Sequence, residues 1–288
     1  MNFSVITVVF NDAKQILFTM DSVLNQTFKE IEYILIDGGS TDGTKEIIYQ
    51  TILSICDITH HFQDSHQLYL EATHKIHSHF KFKFLSQKDN GIFDAMNRGV
   101  KLATYDFINF VNCGDKIFSH EVLTQISQLS LQNFDVIYGD MQVCHNHESY
   151  IKKTSHNLED LFSLFYNFGH SNCFIRTTLH QKNLYNLNYK LACDYDLIYK
   201  LYRNGFSFAF CNLTISSFYS GGASDKNGFS SLKEAFIIAN HYNQNISVRC
   251  KILFYYLFAL TKKSIKIYTP AFIGNFLLKI FKKTKKLI

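Results

Sequence analysis

GIFDAMNRGVKLATYDFINFVNCGD, residues Gly91–Asp115, reads as a loop, a helix, a buried strand and a turn that ends on a carboxylate. Ile92, Met96, Val100 and Ala103 recur at the spacing of one helical face, and Phe107–Val111 is a near-continuous apolar run of strand length. An acid at the C-terminal mouth of a parallel strand lies where open α/β sheets place ligand chemistry. IEYILIDGGSTDGT, Ile31–Thr44, runs the same plan earlier: an apolar strand, Asp37, two glycines and a helix start. Two strand-end aspartates in one mononucleotide-sized half predict a nucleotide and a metal ion held between them.

The flanking segments continue the alternation. Phe3–Phe10 is a β-branched, aromatic run of strand length, Asn11-Asp12 offers an N-cap, and Ile16, Met20, Val23 and Leu24 share a helical face. Ile31–Ile36 reads as the second strand, with a helix from Ser40–Asp42, and Phe82–Leu85 as the third. Beyond Asp115 come a helix (Ser119–Leu131), a strand (Asp135–Asp140) and a helix around Leu158–Phe165. LACDYDLIYKLYRNG (Leu191–Gly205) is a turn into a helix that stops at its glycine, and FYSGGAS (Phe218–Ser224) is a loop. Strands alternating with helices imply an α/β fold whose mostly parallel sheet is buried on both faces. The expected organisation is an α/β domain over 1–228 and a helical, basic extension over 229–288.

With 28 Phe and 17 Tyr in 288 residues, the chain can bury a sizeable core and is not disordered. Its net charge of +5 conceals an asymmetry: after Glu234 there is no acid, only Arg249, Lys251, Lys262, Lys263, Lys266, Lys279, Lys282, Lys283, Lys285 and Lys286. The main domain is therefore acidic and the tail strongly basic. Phe254, Tyr255, Phe258 and Tyr268, with Lys262, Lys263 and Lys266 and the final FKKTKK, read as a segment for an anionic membrane surface. The competing reading is a helical cap packed on the domain. Nucleic acid is set aside, because the main domain is acidic and carries no recognition motif.

Seven cysteines without a CxxC pair argue against a disulfide framework, and the N-terminus runs directly into a strand without a basic n-region. Ile252–Leu260 is far shorter than the ~20 residues of a spanning helix, so a cytoplasmic chain is expected. Cys56–Phe80 gathers six histidines (60, 61, 66, 74, 77 and 79) outside any HExxH context, and reads as a surface insertion rather than a metal cluster.

Gly38-Gly39 lets the backbone turn at the strand end, where a helix start offers N–H groups to an anion. There is neither a GxGxxG dinucleotide fingerprint nor a GxxxxGK[ST] loop. Asp37 can accept hydrogen bonds from a base or ribose; the alternative is a tight βα turn capped by Ser or Asp. Asn112-Cys113-Gly114-Asp115 suits a hard divalent cation that bridges phosphates and keeps its waters; the alternative is a turn capping the next helix.

Read together, VITVVFND (Val5–Asp12), ILIDGGSTDGT (Ile34–Thr44), SQKDNGIFDAMNRG (Ser86–Gly99), FINFVNCGD (Phe107–Asp115), GHSNCFIR (Gly169–Arg176) and ACDYDL (Ala192–Leu197) resemble, in order, the family-two glycosyltransferases of the GT-A fold. The similar subgroup is that of bacterial enzymes building lipopolysaccharide, capsule or other surface glycans. The resemblance implies that Val9, Asn11 and Asp37 hold the nucleoside, usually uridine. It places Asp89, Asp94 and Asn97 along the nucleotide-sugar pocket. Asp115 would bind Mg²⁺ or Mn²⁺ on the diphosphate, with Asn112 beside it and His170 near the diphosphate or acceptor. Asp194 would be the general base that deprotonates the acceptor hydroxyl in an inverting displacement, the acceptor being a glycan or lipid-linked. The usual Asp-x-Asp is reduced, since Asn112 and Gly114 stand where acids are found. Two other classes compete: a sugar-nucleotidyltransferase, whose glycine- and arginine-rich first loop VVFNDAKQ lacks, and a degenerate nucleotide-sugar-binding protein without transfer activity.

Overall fold

All seven residues of β1 (Phe3–Val9) are buried, as are all seven of β2 (Ile31–Asp37). Such strands have a covered layer on each face, which is the condition of a parallel sheet wrapped by helices. The computed structural model describes residues 1–145, 148–158, 169–219 and 228–268. The expected helix around Leu158–Phe165 falls almost wholly outside them, as do most of the Phe218–Ser224 loop and the final FKKTKK.

The remaining elements follow in chain order. The N-terminal half adds α1 (Ile16–Leu24), α2 (Thr44–Ile55), β3 (Cys56–Gln63), β4 (Gln67–His74), β5 (Lys81–Gln87), α3 (Ile92–Leu102), β6 (Phe107–Phe110), β7 (Lys116–Ile117) and α4 (Val122–Gln128). After them come β8 (Val136–His145), β9 (Glu148–Lys152), β10 (Cys173–Arg176), α5 (Thr177–Lys182), α6 (Cys193–Arg203), β11 (Phe208–Tyr219), α7 (Gly228–Tyr242) and α8 (Ile246–Tyr268). The strands form one sheet in the order β3-β4-β5-β2-β1-β6-β10-β8-β11-β7, with β9 on β8.

Parallel pairing joins β5, β2, β1 and β6 at the centre and β11 to β8 further out. The other pairs are antiparallel, so the sheet is α/β as expected but mixed at its flanks. Short connections such as β3–β4 force antiparallel pairing, whereas helical crossovers permit the parallel kind. The chain steps outward from β1 to β2 to β5, then returns past β1 to lay down β6. The order therefore reverses between β1 and β6, and the crevice outside their carboxyl ends is where such sheets bind ligands.

Two cores result. Phe3, Val5, Val9, Tyr33 and Leu35 face α1, α2 and α4; Ile6, Val8, Ile34 and Ile36 face α3, α5, α6 and α7. The second core also takes in Ala235, Ile238 and Ala239 of α7 and Ile252 of α8. The helical segment expected to begin at residue 229 thus shares the core of the α/β domain.

Three readings are corrected. The histidine-rich stretch is part of the sheet: β4 pairs with β5 from Gln67↔Gln87 to Thr73↔Lys81, and β3 forms the edge beyond it. Its period-two signal was Leu68, Leu70 and Ala72, all buried, interleaved with Tyr69 and Glu71. Asn11-Asp12 does not cap α1, which starts at Ile16 after a turn in which the Asp12 carbonyl accepts the Gln15 and Ile16 N–H groups. Ile92 leaves the buried face of α3 at 43 % exposure, while Met96, Val100 and Ala103 stay in the core.

The helix α3 reaches its depth through Gly99, where an added Cβ would lie 2.6 Å from Ile6 Cγ2 on β1. Isoleucine is stiff at that carbon, so the helix would have to lift. Gly99→Ala should destabilise the fold by about 1–3 kcal/mol through overpacking, read as a lower urea midpoint at unchanged slope.

Candidate active site

The loops after β1 and β2 are laced together. Asn11, at φ +50, donates its N–H to Ser40 Oγ (2.8 Å) and accepts the Thr41 N–H at Oδ1 (2.8 Å). Asp12 N–H meets Thr44 Oγ1 (3.0 Å) and Ala13 N–H meets Asp42 Oδ2 (3.0 Å). The polar string Ser-Thr-Asp-Gly-Thr is thus used up in fixing the loop that follows Val9. Asp37 lies beneath it, completely buried, accepting the Ser40 N–H and both the Ser40 and Ser86 hydroxyls. It ties the ends of β2 and β5 and does not reach the cleft surface.

The surface at that point is made by residues around Gly38. A Cβ there would lie 2.6 Å from Asp89 Oδ2 and 3.3 Å from the Phe10 ring. Phe10, 63 % exposed at the end of β1, is the large aromatic of the cleft that sequence reasoning absorbed into a strand. Its signal was position: it follows the last buried residue of β1. Asp89 accepts the Gly91 N–H (2.8 Å), and burial raises its carboxyl above the ordinary range.

Asp94 and Asn97 serve the framework. Asp94 pairs with Arg98 (3.0 Å) and accepts the Asn90 N–H (3.0 Å), bracing the start of α3. Asn97, 6 % exposed, donates to the Tyr185 carbonyl (3.0 Å) and accepts the Tyr185 N–H (2.8 Å). With both ends of its amide engaged on one backbone, it positions the segment before α6 rather than lining the pocket.

The turn Asn112–Asp115 follows β6. Gly114 adopts φ +92, the Asp115 N–H closes the turn on the Asn112 carbonyl (2.9 Å), and Thr19 of α1 bonds both Gly114 N–H (2.9 Å) and the Asp115 carbonyl (2.8 Å). The Asp115 carboxylate is 7 % exposed and accepts the Tyr219 N–H at the end of β11 (2.8 Å). Burial pushes it up to about 7, with the Tyr219 N–H and His170 acting against that rise.

Across the crevice, three expected residues meet. Asn112 Nδ2 lies 3.0 Å from His170 Nε2, and His170 Nδ1 lies 3.3 Å from Asp194 Oδ2. His170 Nδ1 is buried and faces the Asp194 carboxylate without completing a hydrogen bond to it. Asp194 is 3 % exposed in the first turn of α6 and also accepts the Tyr195 N–H (2.9 Å). Asp196 turns away to accept the Tyr242 hydroxyl (3.1 Å). The turn bearing His170 is held by Asn172, fully buried, which accepts the Gly169 N–H (3.0 Å) and donates to the Gly139 carbonyl (2.6 Å).

These residues fit a hard divalent cation. Asn112 Oδ1 is buried without a partner, and Asp115 offers a carboxylate beside it in the same turn. Among the described residues no group of three His, Cys, Asp or Glu side chains gathers, so the other ligands would be phosphate oxygens and water. Mg²⁺ and Mn²⁺ accept such sites.

A crevice at the switch point, strand-end carboxylates on one wall and a carboxylate–imidazole pair on the other define a nucleotide-sugar glycosyltransferase of GT-A fold. The chain belongs to Glycosyl transferase family 2, whose family model matches residues 4–196. A PGL/p-HBAD biosynthesis glycosyltransferase of Mycobacterium bovis is 26 % identical over 212 residues, 70 % of each chain. Glycosyltransferase GlyG of Streptococcus pneumoniae is 27 % identical over 137 residues, 48 % of this chain and 38 % of that one. Among solved structures, S. aureus TarS 1–349 in complex with UDP-GlcNAc superposes with a TM-score of 0.63 at 18 % identity, covering 93 % of this chain and 76 % of that one. The mannosyltransferase PcManGT of Pyrobaculum calidifontis, in complex with GDP-Man and Mn²⁺, gives 0.61 at 12 % identity, covering 98 % and 80 %.

Glu234, the last acid of the chain, was legible only as the edge of a charge asymmetry. From α7 its carboxylate accepts the N–H groups of Lys190 (3.0 Å), Leu191 (2.8 Å) and Ala192 (3.0 Å), immediately before α6. It caps from outside a helix whose own N-cap supplies no side chain. Glu234→Gln should cost about 1–3 kcal/mol, read as a lower urea midpoint at unchanged slope. A pH series makes a second check. The raised Asp115 stabilises the fold below its unfolded value near 4, and that contribution is lost as pH rises to about 7. Relative to Asp115→Asn, the unliganded wild type should lose thermal stability across that window and not beyond it.

Proposed function

We propose that the chain transfers a sugar from a uridine-diphosphate donor to a hydroxyl of a glycan or lipid-linked acceptor, with inversion at the anomeric carbon. Its setting is the cytoplasmic face of the inner membrane, in cell-surface polysaccharide synthesis. The observation that carries this reading is the line Asn112–His170–Asp194, which joins the strand-end turn of β6 to an acid in the first turn of α6.

Phe10 offers a ring on which the base stacks, and Asp89 an acceptor for its polar edge. Asp37 orients this corner from below through Ser40 and Ser86. Asp115 and Asn112 would hold Mg²⁺ or Mn²⁺, which when bound would offset the charge of the leaving diphosphate. Asp194 accepts the proton of the acceptor hydroxyl as its oxygen attacks the anomeric carbon from the face opposite the diphosphate. His170 stands 3.3 Å from the Asp194 carboxylate and, with 18 % side-chain exposure, forms the rim over which the acceptor enters. The donor complexes of TarS and PcManGT, the latter with Mn²⁺, support this assignment.

Asp194→Asn should keep UDP-GlcNAc stabilisation in a thermal-shift assay with Mn²⁺ and lower transfer by about 10²–10⁴. Stabilisation without turnover in the wild type would favour the degenerate binding protein that the reduced NCGD motif also allows. No stabilisation by any UDP- or GDP-sugar would overturn the reading.

A further inference from the structure

We infer that the outward face of α8 is a docking surface for an anionic lipid bilayer. This names the contact behind the membrane setting proposed above, and is tested apart from the transfer chemistry. The helix is anchored on one side only. Ile252 is buried in the domain core, and the Tyr256 ring stacks on Phe236 of α7 at 4.5 Å. On the open side, Ile246, Cys250, Leu253 and Leu257 recur at i, i+4, i+7 and i+11, the spacing of a single helical stripe, with Phe254 alongside. Ile246 is 80 % exposed, Leu257 53 %, Leu253 and Phe254 46 %, and Cys250 is exposed as well. Isolated exposed hydrophobes need no explanation, but a continuous row does. Among the described residues of the face foreseen from sequence, Tyr255 and Phe258 are half-buried and Phe254 lies on the open side.

The flanks decide the occupant. At 100° per residue, Arg249 falls about 40° beyond Leu253 on one side, and Lys251 and Lys262 about 60–80° beyond Phe254 on the other, all three exposed. Cations bordering an apolar stripe suit a helix lying in the headgroup plane, its hydrophobes among acyl chains and its lysines reaching phosphates. A second copy of α8 is disfavoured, because everything after Glu234 carries ten Lys and Arg and no acid to pair with them. Anionic lipid supplies counter-charge to the exposed Lys251 and Lys262, whereas Arg249 also donates to the Asn240 carbonyl (3.2 Å) and Lys263 lies over the Phe229 ring (5.3 Å). The sequence beyond the described residues, with five further lysines among apolar residues, has the same character.

The test is co-flotation of the full-length protein with phosphatidylcholine vesicles containing or lacking phosphatidylglycerol. Wild type should float with the anionic vesicles at low salt, with the bound fraction reduced about tenfold when the anionic lipid is omitted or salt is raised. The pair Leu253→Glu and Leu257→Glu should abolish flotation, and Lys251→Glu with Lys262→Glu should weaken it, while thermal stabilisation by UDP-GlcNAc stays at the wild-type value. Flotation unchanged by the leucine pair would assign binding to the polybasic end and overturn the proposal. So would equal binding to neutral vesicles, or a dimer in light scattering that the leucine pair dissociates without any vesicle binding.

Discussion

The position of β1 between two parallel neighbours is the constraint on which the cleft depends. Its carboxyl end receives the Gly38 N–H at the Val9 carbonyl on one side and the Cys113 N–H at the Val8 carbonyl on the other. These two bonds set the glycine turn of β2 and the Asn112–Asp115 turn of β6 at the same height. Because β1 is buried throughout, a one-residue slip would exchange Ile6 and Val8 for Val5 and Val9 between two unlike cores. Register is therefore enforced by packing, and the site inherits that precision.

Around this frame, buried polar groups divide into those that build and those that are left free. Asp37, Asn97 and Asn172 each satisfy most of their hydrogen-bonding capacity on neighbouring backbone or hydroxyl groups. A group so engaged contributes stiffness rather than ligand contact, since breaking its bonds leaves unpaired polar atoms in a dry interior. Asn112 Oδ1 stays unpartnered and Asp115 is held at the edge of ionisation by burial.

This division explains what could be read in advance. The central strands were legible because a strand covered on both faces is an unbroken apolar run, as in ILID and FINF. The hairpin of β3 and β4 was hidden, since an edge strand with seven exposed residues of eight carries no core pattern. Asn112, His170, Asp115 and Asp194 were legible through the family-like order of motifs along the chain, and the structure brings Asn112, His170 and Asp194 into contact. The roles of Asp37, Asp94 and Asn97 were not, because motif position does not say which way a side chain turns once a serine or an arginine is within reach. Glu234 acts across 40 residues of chain, and no local pattern marks such a cap.

The bond from the Tyr219 N–H to Asp115 ties the last residue of β11 to the carboxylate of the donor turn. A ligand that draws Asp115 fully into its ionised form strengthens that bond, since a charged acceptor holds an amide more tightly. By reciprocity, anything that displaces Tyr219 changes the affinity of Asp115 for positive charge by the same free energy. The end of β11 and the affinity of Asp115 for positive charge are in this way thermodynamically linked through one amide proton.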